Sequence, residues 1–130
     1  MGLDMYMFLD EENNSPDSDK EIYEPNFVEV AYWRKHPDLH RFLESEWLSL
    51  PENKDKTAED FNGLYYQMTP DVIEKAMFRV TMRALPKSKG GFFFGESLYD
   101  KEGIAHDKKS LSNVLRLLKE KKKVYYFPSW

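Results

Sequence analysis

The sequence contains no cysteine, which excludes disulfides, thiolate metal ligands and cysteine nucleophiles and fits a reducing compartment. It has no run approaching the roughly 18 apolar residues of a membrane span, and its acidic beginning lacks a signal peptide's basic n-region. The Met-Gly start carries Tyr6 where N-myristoylation requires Ser or Thr. Glycine is sparse and falls into neither GxGxxG nor a Walker loop, there is no HExxH, and no serine sits in a nucleophile elbow. These absences remove the enzyme classes that short motifs define, and they lead to the expectation of a cytoplasmic protein with no membrane segment and no cofactor.

What is present is aromatic and charged. Nine Phe, eight Tyr and three Trp make up 15% of 130 residues, enough material for one core and for rings that reach the surface, where Tyr and Trp serve as contact residues. Net charge is −4, unevenly placed: residues 1–60 hold 16 acids against 6 bases, and residues 61–130 hold 7 against 13. A fold that kept the halves on different faces would present one surface that mimics nucleic acid and another that attracts phosphate. Net acidity disfavours DNA as a partner, although the KEKKK run of residues 119–123 is basic.

The pattern predicts a single α+β domain over residues 1–130, about three helices packed on a largely antiparallel sheet. LDMYMFL (Leu3 to Leu9) reads as a strand with apolar side chains on both faces, and residues 10–26 as an exposed acidic loop or hairpin tip. FVEVAYW (Phe27 to Trp33) is a second strand that pairs with the first. Leu39, Phe42, Leu43, Trp47 and Leu50 share one helical stripe, which predicts helix one from Pro37 to Ser49. Residues 51–63 form a loop or short helical turn, and NGLYYQM contributes a short third strand. Thr69 as N-cap, Pro70 at the first helical position and Pro86 beyond the end punctuate helix two, whose buried face is Ile73, Ala76, Met77, Val80 and Ala84. Helix three is expected from His106 with Asp107 as its cap, burying Leu111, Val114, Leu115 and Leu118. VYYFPSW closes the chain as an edge strand, since Pro128 cannot donate to a ladder.

Three groups of residues invite chemistry. His36, His40 and Glu44 are spaced to stack on one helical face, the way a helix presents metal ligands, but Pro37 pushes His36 out of helical conformation and no further ligand follows, so an exposed His36 and a partly buried His40 explain the spacing without a metal. YWRK (Tyr32, Trp33, Arg34, Lys35) joins two rings and two cations at a strand-to-helix junction, where Arg34 can clamp a phosphate and a ring can stack on a base. Lys87, Ser88, Lys89, Gly90 and Gly91 place cations and a hydroxyl beside glycine amides in a possible anion nest, with Phe92 to stack; a glycine turn feeding a buried Phe strand explains the same residues. With His40, these form the candidate ligand-binding set. His40 and His106 are the candidate acid or base if the protein is an enzyme.

MGLDMYMFL, the YWRKHPDLHRFLE block, GGFFFGESLYD and the terminal VYYFPSW together resemble a family of small bacteriophage- and prophage-encoded proteins that open MGLDMYL, contain a YWRK…H block and a GFFFG segment, and end in an aromatic strand before SW. Tyr32, Trp33, Arg34, Lys35, His40 and Gly91 to Gly95 match its motifs; His36 has no histidine counterpart there. The resemblance implies a phage accessory protein in the host cytoplasm, one that blocks a defence or redirects a host enzyme by binding. The readings are therefore a non-enzymatic factor that occupies a host protein or sequesters an anionic, nucleotide-like ligand; a small nucleotide-acting hydrolase or transferase; and an acidic DNA mimic. A homodimer is compatible with all three.

Overall fold

A computed structural model describes residues 2–10, 27–34, 36–83 and 101–130. The expected acidic loop beyond Asp10, together with Lys35, Ala84, Pro86, Lys87, Ser88, Lys89, Gly90, Gly91, Phe92 and the rest of GFFFG, lies outside the described residues.

Strand β1 (Asp4–Asp10) pairs antiparallel with β2 (Phe27–Arg34) on one side and with β4 (Lys123–Ser129) on the other, and β3 (Tyr66–Gln67) adds to β4. The result is one antiparallel sheet in the order β2-β1-β4-β3. Side chains alternate across it. Met5, Met7, Ala31, Trp33, Val124, Tyr126 and Tyr66 are buried on the inner face, where the helices cover them. Each such apolar side chain removed from water contributes about 1.5–3 kcal/mol. Helix α1 (Pro37–Leu48) buries Leu39, Phe42, Leu43 and Trp47; α2 (Pro70–Thr81) buries Val72, Ile73, Ala76 and Val80; α3 (Lys101–Lys119) buries Ile104, Leu111, Val114, Leu117 and Leu118. The fold is thus α+β, three helices on one antiparallel sheet.

The helix ends follow from local chemistry. Thr69 Oγ1 accepts the Val72 N–H and Pro70 takes the first position, where a missing donor costs nothing. The last turn of α1 is closed from outside, because the buried Asn53 side chain donates to the Trp47 carbonyl at 2.8 Å. Residues 51–63 contain two 3₁₀ turns, Pro51–Asn53 and Ala58–Phe61, the second delivering Phe61 to the core with no exposed surface.

Two expectations need correction. Helix α3 already includes Lys101, so His106 and Asp107 lie within it and neither caps its start. Strand β4 is interior to the sheet, not an edge. Pro128 is tolerated there because its carbonyl accepts from Gly63 N on the β3 side. A strand residue's nitrogen and carbonyl point the same way, so the donor that Pro128 lacks is missing from that side and the ladder to β1 is intact.

Between Met7 and Phe8 the β1–β2 register slips by one: Met7 faces Ala31 but Phe8 faces Glu29, leaving Val30 as the extra residue. This bulge reverses which residues of β2 face outward. Tyr32 and Phe27, of opposite parity in the sequence, therefore share the outer face.

Candidate functional site

Three structures bear on function: a buried polar node, a buried histidine and an aromatic sheet face.

The node centres on Asp107, which is 1% exposed. Its Oδ1 accepts from Trp33 Nε1–H at 2.7 Å and its Oδ2 lies 2.7 Å from His36 Nε2. His36 Nδ1 accepts the Leu39 N–H at 3.4 Å, which puts the ring proton on Nε2 and makes His36 a donor to Asp107. The histidine is therefore the N-cap of α1, and it is buried, not exposed. One carboxylate joins the end of β2, the start of α1 and the body of α3. Beside it, His106 reaches the Tyr32 carbonyl through Nε2 at 3.1 Å and sets its ring edge against Trp33 at 5.9 Å.

His40 lies elsewhere in the core. Nδ1 is 2.7 Å from the Tyr126 hydroxyl, and Nε2 is 3.4 Å from Glu44 Oε2. The Glu44 approach is an ion-pair distance without hydrogen-bond geometry; with the ring proton on Nε2, toward that carboxylate, the Tyr126 hydroxyl donates to Nδ1. Burial, reinforced by the Glu44 charge, pushes the Tyr126 hydroxyl well above its ordinary pKa and keeps that donor protonated. Phe61 stacks on the imidazole at 5.6 Å and Trp130 meets it edge-on at 5.0 Å. Trp130 is held in turn by Asn62, whose Nδ2 donates to the Trp130 carbonyl and whose Oδ1 accepts its N–H. His36 and His40 thus face different partners. Among the described residues no group of three or more His, Asp or Glu is arranged to hold a metal ion.

The outer face of the sheet is built in rows set by strand register. Arg34, Asp4 and Ser129 form one end row; Tyr32, Tyr6 and Phe127 the next; Glu29, Phe8, Tyr125 and Gln67 the third; Phe27, Asp10 and Lys123 the last. Ring contacts run through the middle without a break. Tyr6 stacks on Phe8 at 5.4 Å and meets Tyr32 at 5.1 Å, while Phe27 reaches across β1 to Tyr125 at 5.4 Å and to Tyr65 at 5.2 Å, and Tyr65 closes on Phe127 at 4.6 Å. Such pairs contribute about 0.5–1.5 kcal/mol each beyond their area. Charge lies at the margins: register sets Asp4 opposite Arg34 and Asp10 opposite Lys123 at the two ends, and Glu29 sits on β2 opposite Phe8. The Tyr32 hydroxyl donates to Asp4 Oδ1 at 2.6 Å, and that bond raises its pKa; burial, then the Asp10 charge, raises that of Tyr125.

The YWRK residues accordingly divide. Tyr32 and Arg34 belong to the outer face, and Trp33 points inward to Asp107, so the two rings do not share one ligand surface. Lys35 and the Lys87 to Phe92 set are outside the described residues, and His40 lies in its own aromatic enclosure. Sequence reasoning missed Asp107 as the partner of Trp33 and His36. The signal was there: Ile104, Asp107, Leu111, Val114 and Leu118 recur at spacings of three and four, and a carboxylate in an otherwise apolar stripe marks a buried polar contact.

No protein-family model, curated protein or solved structure matches the chain.

Proposed function

We propose that the protein is a non-enzymatic binding factor, of the phage-encoded kind its motifs resemble, that occupies a host protein through the outer face of its sheet. The observation that carries this reading is the continuous band of rings from Tyr32 to Tyr65, with charged pairs at its two ends and Glu29 at its β2 margin. Interfaces draw on this composition, aromatic residues at the centre with charges at the rim. Acid–base catalysis finds less support. His40 is enclosed by Phe61, Tyr126 and Trp130, and His106 is engaged with the Tyr32 carbonyl. A nucleotide-like ligand finds less support on this face too, because among the described residues of its strands Arg34 and Lys123 are the cations against Asp4, Asp10 and Glu29.

The test is affinity capture from bacterial lysate with the wild type beside Tyr32→Lys and Tyr65→Lys, each checked for folding by circular dichroism. A host protein retained by the wild type and lost by both variants at unchanged melting temperature is the expected result. Retention by the variants sinks the reading, and a nucleotide-mass adduct in native mass spectrometry replaces it with the ligand-binding one.

A further inference from the structure

Helix α2 carries an anomaly on the side turned away from the core. Its buried stripe is already complete with Val72, Ile73, Ala76 and Val80, yet Phe78 is 63% exposed and Met82, one turn on, is 60% exposed. Amphipathic patterning calls for polar residues there, and two large apolar side chains in succession are not what an ordinary solvated helix face shows.

The exposed ring does not stand alone. Between α1 and α2 runs a groove of about 520 Å³ with Phe42 and Phe78 as its apolar lining, space for a few aliphatic side chains. Its margin is charged: Glu46, Asp71 and Glu74 against Lys75 and Arg79. Lys75 already serves two carboxylates, with its Nζ 3.3 Å from Asp71 and 3.8 Å from Glu46. The Arg79 guanidinium lies over the Phe42 ring at 5.9 Å, within cation–π range. Three acids thus share two cations, and the groove keeps one negative charge in surplus around an apolar floor.

We propose that this groove is a second docking site, and that its occupant is a short amphipathic helix of a partner protein bearing apolar side chains on one stripe and lysine or arginine beside them. The apolar stripe covers Phe78 and Met82 and enters the groove over Phe42; the basic residues meet Glu74 and the carboxylates that Lys75 bridges. This is the helix-in-groove mode of recognition, with i, i+3 and i+4 anchors reading the apolar lining and charge choosing among amphipathic partners. The site lies on the helical layer and does not depend on the aromatic sheet face.

The experiment uses a fluorescein-labelled synthetic peptide of leucines and lysines at helical spacing, with a leucine–glutamate counterpart, titrated into the whole protein and followed by anisotropy and by ¹H–¹⁵N amide shifts. The lysine peptide is expected to bind saturably and to move amides of α1 and α2, and the glutamate peptide to bind at least about tenfold more weakly. Phe78→Ser, at an exposed position where folding is preserved, weakens the lysine peptide by about tenfold or more, while Phe78→Leu retains it. Glu74→Lys weakens it and flattens its salt dependence. Equal affinity for Phe78→Ser and wild type, equal affinity for the two peptides, shifts centred outside α1 and α2, or no saturable binding would each overturn the proposal.

Discussion

Asp107 stands where the stripe of α3 would otherwise carry a leucine, and its burial is sustained by its partners. Trp33 and His36 direct N–H groups at its two oxygens, and each of those donors would be orphaned without it. Removing a buried acceptor costs the desolvation of the groups left behind, about 1–3 kcal/mol for each. Asp107→Ala should therefore lower unfolding free energy by about 2–4 kcal/mol in urea titration, and a double-mutant cycle with His36→Ala should show coupling well above 0.5 kcal/mol, the scatter expected of independent sites. A loss below about 0.5 kcal/mol, typical of unconnected surface positions, would mean that solvent already satisfies Trp33 and His36. The residue types are all visible in the sequence; that they meet is not, because Trp33 and Asp107 are 74 positions apart.

The elements differ in how far their own letters define them. Helix α2 begins where Thr69 and Pro70 say it should, since capping and the missing proline donor are local chemistry. Thr69→Ala should cost about 1 kcal/mol while Thr69→Asp stays near wild type, measured by thermal unfolding; equal stability of all three would show that packing alone holds the helix start. Helix α1 is capped instead by a histidine that needs Asp107 to hold it in place, and α3 already runs through Lys101, before its expected cap. The α1 cap depends on a distant partner, so that boundary could not be read from adjacent residues. Strand β4 shows the same limit. Pro128 pointed to an edge, but the two-residue length of β3 leaves room for a proline inside the sheet.

At the scale of the whole molecule, the separation of charge along the chain does not become a separation of faces within the sheet. The sheet sets the two strands of the acidic half, β2 and β1, beside the two of the basic half, β4 and β3, so both halves contribute to each face and meet at the β1–β4 ladder, where Asp10 faces Lys123. Tyrosine burial has a global consequence as well. Desolvation, with Glu46 and Glu52 adding to it, pushes Tyr66 up to about 12, and Tyr126 is raised well above 10.0. The unfolded chain loses these protons first, near pH 10, so their contribution is fully present below that and lost as pH rises through the folded values. Stability should hold level toward pH 9 and then fall as pH rises toward the folded values of Tyr66 and Tyr126. Melting temperatures across this range, read with tyrosinate absorbance, check it: ionisation of all tyrosines near pH 10 in the folded protein would contradict the burial of Tyr66 and Tyr126.

The α+β class, the antiparallel pairing of the first two strands, the apolar stripes of three helices and the cap of α2 were legible in the chain itself, because they rest on period, propensity and groups a few residues apart. The proposed binding surfaces were not. Tyr32 and Trp33 are neighbours that face opposite sides of a sheet, and Phe27 joins Tyr32 on the outer side only through a bulge at Val30, which no alternation of letters announces. His36 gains its role from Asp107, and Phe78 becomes conspicuous only once the packing of α2 shows which stripe the core has used. Such facts belong to contacts between distant segments, and those contacts exist only after the chain has folded.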